Sequence, residues 1–378
     1  MRVRRHGTEI IRAVRPDLRN SITSMLRATL PSPAFIHYLR RRYDGVLTRS
    51  HRVLFAFALL VSTHATARAQ VAMKKVGTPI AAARHQVVRN NVAPPTVVDD
   101  LGRLYVLDTQ RNQIDVYENA RWTSLIDNST TPRLSPKAFA ITARGVIGVL
   151  NRYGKAIYTF VRDDSGVRFV KEVSLSGTPI AISAAGDGFL VSLEDSGGEV
   201  VRVDKSGVVS PAFRTATDPR MPPMQRYLHD VNLYTRDSFT VAVAPVFPTI
   251  SLFSSSGRLV WQINLMGFRQ LQIAQLNSEQ MRLATPATGY QTVVGAYFVG
   301  SDLIALQLAL TLRPGMTARA NTLETRYLRL HDGREVSRYT SDPPLAASFA
   351  PQLFSYDVAS GGFQPVKVTT QQGRKLTQ

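Results

Sequence analysis

Residues 101–122 (LGRLYVLDTQRNQIDVYENARW) show the pattern that organises most of this chain: a turn containing glycine, a short strand, a polar turn and a second strand. Apolar positions recur with a period of two, which predicts β-strands rather than helices. The pattern returns twice at an interval of 43 residues. The repeated positions are Gly102, Gly145 and Gly188 in the turn, and Asp108, Asn151 and Glu194 at the end of the strand that follows.

The later part of the chain keeps this pattern with looser spacing, as in VRVDKSGVV, SLFSSSGRL, LRLHDGREV and FSYDVASGG. Units of about 40–50 residues built only of strands are typical of propeller blades. The sequence therefore predicts an all-β fold, a six-bladed β-propeller over residues 94–370. Five or seven blades, or a pair of β-sandwiches, are the alternatives. A strand within 75–90, in an N-terminal segment at 70–93, would close the ring.

The segment DDLGRLYVLDTQRNQIDVY (residues 99–117) resembles a blade of the NHL type, in which Asp-x-x-Gly-x-Leu-Tyr-Val-x-Asp precedes an Ile-x-Val-Phe/Tyr strand. The resemblance extends in outline over residues 90–370 but is specific in the first blade alone. It implies a bacterial six-bladed propeller of the NHL and streptogramin-lyase-like type. Such propellers serve mostly as binding platforms, with some lyases and lactonases among them, so the resemblance implies no particular activity.

Residues 49–69 (RSHRVLFAFALLVSTHATARA) have the features of a signal peptide. Two arginines precede a short apolar run, and the small residues of Ala-Arg-Ala at 67–69 predict cleavage before Gln70. The run is too short to span a bilayer comfortably, so we expect no transmembrane helix after cleavage. An uncleaved anchor or a buried helix is the alternative. The predicted location is the periplasm or the extracellular medium.

The net charge of +19 is distributed unevenly along the 378 residues. Residues 1–69 hold 13 arginines and 3 acidic residues, and the rest of the chain holds 33 lysines and arginines against 24 acidic residues. Much of the excess therefore lies in the signal peptide and in an Arg-rich extension at 1–48, to which we assign no fold. Because the remainder lacks a long basic run, we expect no nucleic-acid partner. The chain has no cysteine, which excludes disulfides and thiolate metal sites.

The connections between strands of a propeller fall on two faces. With the strands of each blade lettered a to d from the centre outward, the b–c turns and d–a connections share one face. Three long insertions, at 214–230, 266–289 and 311–326, all fall on this face, which we call the loop-rich face. A short tail at 371–378 follows the last blade. Elaborated loops on a rigid scaffold often carry function, so we expect a binding site on the loop-rich face.

Basic and aromatic residues of these insertions are the candidates for ligand binding, since arginine suits anionic partners. We expect a protein, an anionic glycan or an anionic small molecule as the ligand. Solvated loop charge is the alternative. The candidates are Arg220, Arg226, Tyr227, Arg269, Arg313 and Arg319, with Arg326 on the same face.

Two further sets of residues on this face could carry chemistry. Asp108, Asn151 and Glu194 offer oxygen ligands for Ca²⁺ or another divalent cation, and hydrogen bonding within turns is the alternative explanation for them. His229, at the start of the inner strand of blade 4, and the adjacent Asp230 are candidates for acid–base catalysis, with a structural role as the alternative. The sequence contains no phosphate loop, dinucleotide fingerprint or nucleophile elbow.

These observations favour an exported propeller that acts as a binding or scaffold module through its loop-rich face, needs no cofactor and is not an enzyme. The alternative is a metal-dependent hydrolase or lyase of the lactonase-like type, with its site at the mouth of the channel. A subunit of a cell-envelope assembly is a third interpretation.

Overall fold

The fold is a ring of six four-stranded antiparallel sheets, so the predicted all-β, six-bladed propeller is confirmed. The structure is a computed structural model. It describes residues 70–81, 92–127, 134–163, 166–194, 196–215, 230–275, 281–312, 323–340, 342–349 and 352–371. The predicted extension at 1–48, the signal peptide at 49–69 and residues 372–378 lie outside the described residues. Within the described ranges, no helix is long and apolar enough to cross a bilayer.

The first half of the described chain contains an N-terminal strand and three blades. Each blade is a meander in which consecutive strands pair antiparallel. The N-terminal strand is β1 (Gln70–Lys75). Blade 1 comprises β2 (Thr96–Val98), β3 (Leu104–Asp108), β4 (Gln113–Glu118) and β5 (Arg121–Ile126). Blade 2 comprises β6 (Pro136–Ile141), β7 (Val146–Asn151), β8 (Ala156–Asp163) and β9 (Gly166–Ser174). Blade 3 comprises β10 (Pro179–Ala185), β11 (Gly188–Leu193), β12 (Glu199–Val203) and β13 (Val209–Arg214).

The second half contains three more blades and one additional hairpin. Blade 4 comprises β14 (Asn232–Arg236), β15 (Phe239–Val243), β16 (Thr249–Ser254) and β17 (Leu259–Asn264). The hairpin is β18 (Gln272–Gln275) and β19 (Met281–Ala284). Blade 5 comprises β20 (Tyr290–Val299), β21 (Leu303–Thr311), β22 (Leu323–Arg329) and β23 (Glu335–Tyr339). Blade 6 comprises β24 (Leu345–Phe349), β25 (Gln352–Asp357) and β26 (Gly362–Gln371), with β1 as its outer strand.

Strand β1 closes the ring by pairing antiparallel with β26, from Gln70 opposite Gln371 to Lys75 opposite Val366. The sequence analysis placed this strand within 75–90, and the structure corrects that position. Beyond Lys75, the Val76 N–H donates to the Pro365 carbonyl oxygen and Ile80 forms an isolated bridge with Phe363, but the described residues up to Ala81 form no further strand. The alternation of β1 explains the pairing, because Val71 is buried against blades 5 and 6 whereas the neighbouring Ala72 is exposed.

Six hydrophobic clusters hold the ring together, one between each pair of neighbouring blades. Strand β3 shows how one strand serves two of them. Tyr105 and Leu107 pack against blade 2, whereas Leu104 and Val106 pack against blade 6. Successive side chains of a strand point to opposite faces of its sheet. Each blade is therefore apolar on both faces, and closure leaves no blade with an uncovered face.

The glycines that repeat every 43 residues serve two different purposes. Gly102 and Gly145 both have φ of +76° in a–b turns, a conformation that residues with a Cβ atom rarely adopt. Gly188, which was expected to do the same, lacks a positive φ. A Cβ atom at Gly188 would lie 2.2 Å from the carbonyl oxygen of Val203, so this glycine allows close approach of two backbones.

Candidate functional site: the central cavity

A cavity of about 1240 Å³ is lined by the inner strands of all six blades. Its lining includes residues from both ends of these strands, so the cavity follows the axis of the ring from one face to the other. The loop-rich end is lined by Asp108, Thr109, Gln110, Lys137, Arg152 and Asn232. The opposite end is lined by Asp100, Ala143, Gly186, Arg236 and Asp237.

A β-bulge in the inner strand occurs in four blades, 2, 3, 5 and 6. A bulge inserts one residue that has no partner on the neighbouring strand, and it redirects that residue's side chain. Here the redirected side chains line the cavity. The four bulge residues are Lys137, Ile180, Val294 and Ala346. The bulge of blade 2 therefore places an ammonium group where the other three blades place an apolar side chain.

Lys137 is half-buried at the loop-rich end of the cavity. Burial lowers the pKa of its ammonium group, because the charged form loses hydration. The carboxylate of Glu194 opposes this shift, and the positive charge of Arg152 adds to it. Within the described part of the chain, Lys137 forms no hydrogen bond or ion pair. It is therefore a cation near the cavity mouth without a directly bonded counterion.

Two tyrosines line the middle of the cavity. Burial raises the pKa of both Tyr234 and Tyr297, and for Tyr297 the neighbouring Tyr234 adds to the effect. The Tyr297 hydroxyl donates a hydrogen bond to the Leu345 carbonyl oxygen at 2.7 Å. Its ring lies over Gly295, where a Cβ atom would be 2.3 Å from the hydroxyl oxygen. Tyr297 is thus fixed by packing, whereas the Tyr234 hydroxyl makes no hydrogen bond to a described residue.

The end of the cavity opposite the loop-rich face contains Arg236. Its guanidinium lies 4.8 Å from the centre of the Phe298 ring, a cation–π arrangement, and its Nε atom is 3.4 Å from Asp237 Oδ2. Burial lowers the pKa of Arg236, and Asp237 and Asp302 oppose the shift. Arg236 therefore has a carboxylate within ion-pair distance and an aromatic ring against it, whereas Glu194 acts on Lys137 from beyond ion-pair distance.

The three residues predicted to bind a metal lie at the loop-rich ends of their strands, as expected. Asp108 Oδ1 accepts hydrogen bonds from the backbone N–H groups of Gln110 and Arg111, at 2.9 and 3.1 Å. Asn151 Oδ1 accepts one from the Ser135 N–H at 3.0 Å. In the residues that the structure describes, no group of three His, Asp or Glu side chains has metal-binding geometry. Asp108, Asn151 and Glu194 therefore fit a cation poorly, and a metal site formed by these three residues stays a prediction.

Most of the other candidates fall outside the described residues, namely His229, Arg220, Arg226, Tyr227, Arg313 and Arg319. Asp230, the proposed partner of His229, is partly buried just before β14, the inner strand of blade 4. Arg269 is described and is held locally: its Nη1 donates to the Thr288 carbonyl oxygen at 3.2 Å, and its backbone N–H donates to Gln291 Oε1 at 3.0 Å. The ligand-binding role of Arg269 stays a prediction.

Arg326 was expected to lie exposed on the loop-rich face, and the structure corrects this expectation. The side chain of Arg326 is fully buried between blades 4 and 5. Its Nε donates to Glu324 Oε1, and its Nη1 donates to the Met266 carbonyl oxygen at 2.7 Å. Arg326 therefore anchors the start of the 266–289 insertion to blade 5 and is not available to a ligand.

No family model matches the chain, and no curated protein matches it. Among solved structures, it is similar to a DUF4221-family protein from Bacteroides vulgatus, with 8% identity, coverage of 80% of this chain and 99% of that chain, and a TM-score of 0.52. Virginiamycin B lyase from Staphylococcus aureus shows 11% identity, coverage of 79% of this chain and 99% of that chain, and a TM-score of 0.44. Aldose sugar dehydrogenase from Streptomyces coelicolor shows 12% identity, coverage of 80% of this chain and 99% of that chain, and a TM-score of 0.43.

Similarities at these identities show the fold alone. At that level, the predicted resemblance to streptogramin-lyase-like six-bladed propellers is confirmed, because the six-bladed ring itself is present. The activities of the similar proteins differ, and none of them is assigned to this chain.

Lys137 is the residue of the cavity that the sequence analysis missed. The 43-residue repeat contains a signal for it, because Ser-Pro-Lys-Ala at 135–138 corresponds to Thr-Pro-Ile-Ala at 178–181. A charged residue in place of an apolar one at a repeated position marks a site that packing alone does not explain. The bulge that turns this position toward the cavity has no such signal in the sequence.

Proposed function

We propose that the protein is an exported binding module that holds a small ligand in its central cavity and admits the ligand from the loop-rich face. The observation that carries this proposal is Lys137, which the backbone bulge of blade 2 presents to the cavity and which no described residue pairs with by a hydrogen bond or ion pair. Ligand sites are concave, mostly apolar and equipped with a few polar groups that fix orientation. Ile180 of the neighbouring blade 3 and Val294 of blade 5, on the opposite side of the ring, supply apolar wall, and Tyr234 supplies a hydroxyl deeper in the cavity.

Filling the cavity near its mouth tests this proposal. Val294 is the bulge residue of blade 5, so we expect Val294→Trp to obstruct the cavity and to weaken ligand binding by at least about tenfold. Binding is measured by isothermal titration with four probes: galacturonate, galactose, 4-hydroxybenzoate and 4-hydroxybenzamide. Val208→Trp is the matched control, since Val208 is exposed in the c–d turn of blade 3, on the face opposite the loop-rich one.

Binding of at least one probe to the wild-type protein, with loss in Val294→Trp and retention in Val208→Trp, supports the proposal. Equal binding to both variants places the ligand elsewhere and contradicts it. The absence of binding by all four probes also counts against a small-ligand site. Thermal melting of both variants establishes that each one is folded.

Export is part of the proposal and is supported by the features of residues 49–69. Cleavage before Gln70 would leave β1 complete, because this ring-closing strand begins at Gln70. We expect the mature protein to be recovered from the periplasm or the medium of a bacterial host with Gln70 as its first residue. Intact-mass measurement of the secreted fraction checks this result, and a mature protein that still contains residues 49–69 would contradict it.

The hydrolase alternative gains no support from the described residues. It needs Asp108, Asn151 and Glu194 to offer oxygen atoms to one cation, and the first two already accept hydrogen bonds from the backbone. We therefore derive no reaction step at this site.

A further inference from the structure

We propose that the loop-rich end of the cavity is a carboxylate-binding subsite, in which a carboxylate of the ligand lies between the Lys137 ammonium and the Arg152 guanidinium. This inference rests on the proposed function, because it names the chemical class of the ligand that the cavity holds. The body of the ligand extends along the cavity toward Tyr234.

The position of Lys137 is the first argument. The bulges of blades 3, 5 and 6 place Ile180, Val294 and Ala346 in the cavity wall. An apolar residue at position 137 would therefore satisfy packing equally well. A half-buried ammonium costs hydration energy, which a bound anion would offset. A lysine at this position lowers stability in the free protein, as is common for groups that serve binding.

The charge balance at the mouth is the second argument. Arg152 is exposed, lines the same end of the cavity and has no hydrogen bond or ion pair from its side chain to a described residue. Asp108 is the acidic residue that lines this end, and its carboxylate is occupied by two backbone N–H groups, with Arg111 Nε 4.0 Å from Oδ2. Glu194 offsets part of the charge of Lys137 from blade 3.

Among the described residues, this balance leaves about one positive charge at the mouth, which suits a singly charged carboxylate better than a doubly charged phosphate. The planar guanidinium of Arg152 can donate two parallel hydrogen bonds to a carboxylate, and Lys137 can add a third. The apolar side chain of Ile180, in the neighbouring blade 3, reduces the local dielectric, which strengthens these charged hydrogen bonds.

Proton linkage follows from the same geometry. A bound carboxylate stabilises the ammonium form of Lys137 and raises its pKa above the lowered value in the free protein. Affinity is then full below the free-state pKa and falls as the pH rises through it. Among the described residues, the charged groups that act on Lys137 are Arg152 of its own blade and Glu194 of blade 3, and Asp108 of blade 1 lines the same end of the cavity. Carboxylates and guanidinium groups do not titrate in the alkaline range below the ordinary pKa of lysine, so Lys137 carries the effect.

The experiment compares acids with neutral analogues of the same shape. Galacturonate and 4-hydroxybenzoate are titrated beside galactose and 4-hydroxybenzamide, so the two pairs also distinguish a sugar body from an aromatic one. We expect at least one acid to bind about tenfold or more tightly than its neutral analogue. Lys137→Met should reduce this preference strongly, with Arg152 supplying the remainder. Lys137→Arg should keep it and remove the decline in affinity for galacturonate as the pH rises toward the ordinary pKa of lysine.

Lys155→Met is the matched control, because Lys155 is an exposed lysine in the same b–c turn as Arg152. Its affinities should equal those of the wild-type protein. If the neutral analogues bind as tightly as the acids, or if Lys137→Met retains the full preference of the wild-type protein, the carboxylate subsite is overturned. In that case the cavity proposal survives, provided that Val294→Trp still blocks binding. If no probe binds the wild-type protein, both proposals fail together.

Discussion

Replacing Val71 with Asp is expected to lower the free energy of unfolding by about 4 kcal/mol or more, because it places an unpaired carboxylate in an apolar cluster. The Val71 side chain is only 2% exposed, and it packs with Leu345, Leu353, Val366 and Tyr327. The variant loses the burial of the valine as well, a contribution of about 1.5–3 kcal/mol. We expect β1 to leave blade 6 and to expose the edge of β26.

The neighbouring residue provides a control with the same charge. Ala72 is exposed on the other face of β1, so Ala72→Asp keeps both the apolar contact and the pairing with β26. Its free energy of unfolding should change by less than about 0.5 kcal/mol. Denaturation in urea measures the two differences, and limited proteolysis near residue 70 reports the release of β1. Similar stabilities for the two variants would show that β1 does not hold the ring closed.

Ring closure matters this much because β1 joins the two ends of the described chain. The Thr369 hydroxyl donates to the Ala72 carbonyl oxygen across 297 positions of sequence. Such a contact can form only after the intervening blades have brought the ends together. Without β1, blade 6 would expose unpaired backbone groups along β26, which is a site for aggregation.

The sequence predicts the blades well where the repeat is strict. Blades 1 to 3 keep the 43-residue interval, so their strands fall at the expected positions, although Gly188 begins β11 and does not lie in the turn. The ring-closing strand was misplaced for a physical reason. A hairpin leaves a turn signal between its two strands, but β1 pairs with a strand at the far end of the chain and has no local turn to mark it.

The candidate site was predicted less well, because side-chain hydrogen bonding cannot be read from repeat positions. Asp108 and Asn151 recur where an oxygen ligand would be useful, but Asp108 accepts hydrogen bonds from two backbone N–H groups just after its own strand, and Asn151 accepts one from the Ser135 N–H just before β6. In the sequence, Lys137 is one of many charged residues. Only the bulge between Pro136 and Ala138 turns its side chain into the cavity. Backbone irregularities of this kind depend on the partner strand, and a single sequence does not show them.

Arg326 of blade 5 is a fully buried charged residue. Replacing Arg326 with Met should lower the free energy of unfolding by about 3–5 kcal/mol, because it leaves its charged partners uncompensated. Arg326 donates to Glu324 and to the Met266 carbonyl oxygen, and its Nη1 lies 3.6 Å from Glu335 Oε2. Arg338 also contacts Glu324, Glu335 and the Met266 carbonyl oxygen, so part of the network remains and the loss should fall toward the lower value.

Two further variants separate lost charge pairing from lost packing. Arg334→Met changes an exposed arginine of the same blade and should alter stability by less than about 0.5 kcal/mol. The double variant Arg326→Met/Glu324→Gln removes one of the uncompensated carboxylates and should recover part of the loss. Urea denaturation gives the coupling energy of the pair. No recovery in the double variant would mean that Arg326 acts through packing alone.

The binding of the four cavity probes to Arg326→Met tests whether the insertion at 266–289 contributes to the ligand site. Arg326 holds the Met266 carbonyl, where the insertion at 266–289 begins, whereas Lys137 and Arg152 belong to blade 2. If the ligand contacts only the inner strands, Arg326→Met should lose stability but keep wild-type affinity for the acids. A parallel loss of affinity at a temperature where the variant is folded would mean that the insertion forms part of the site. That result would support the expectation from the sequence that Arg269 binds the ligand.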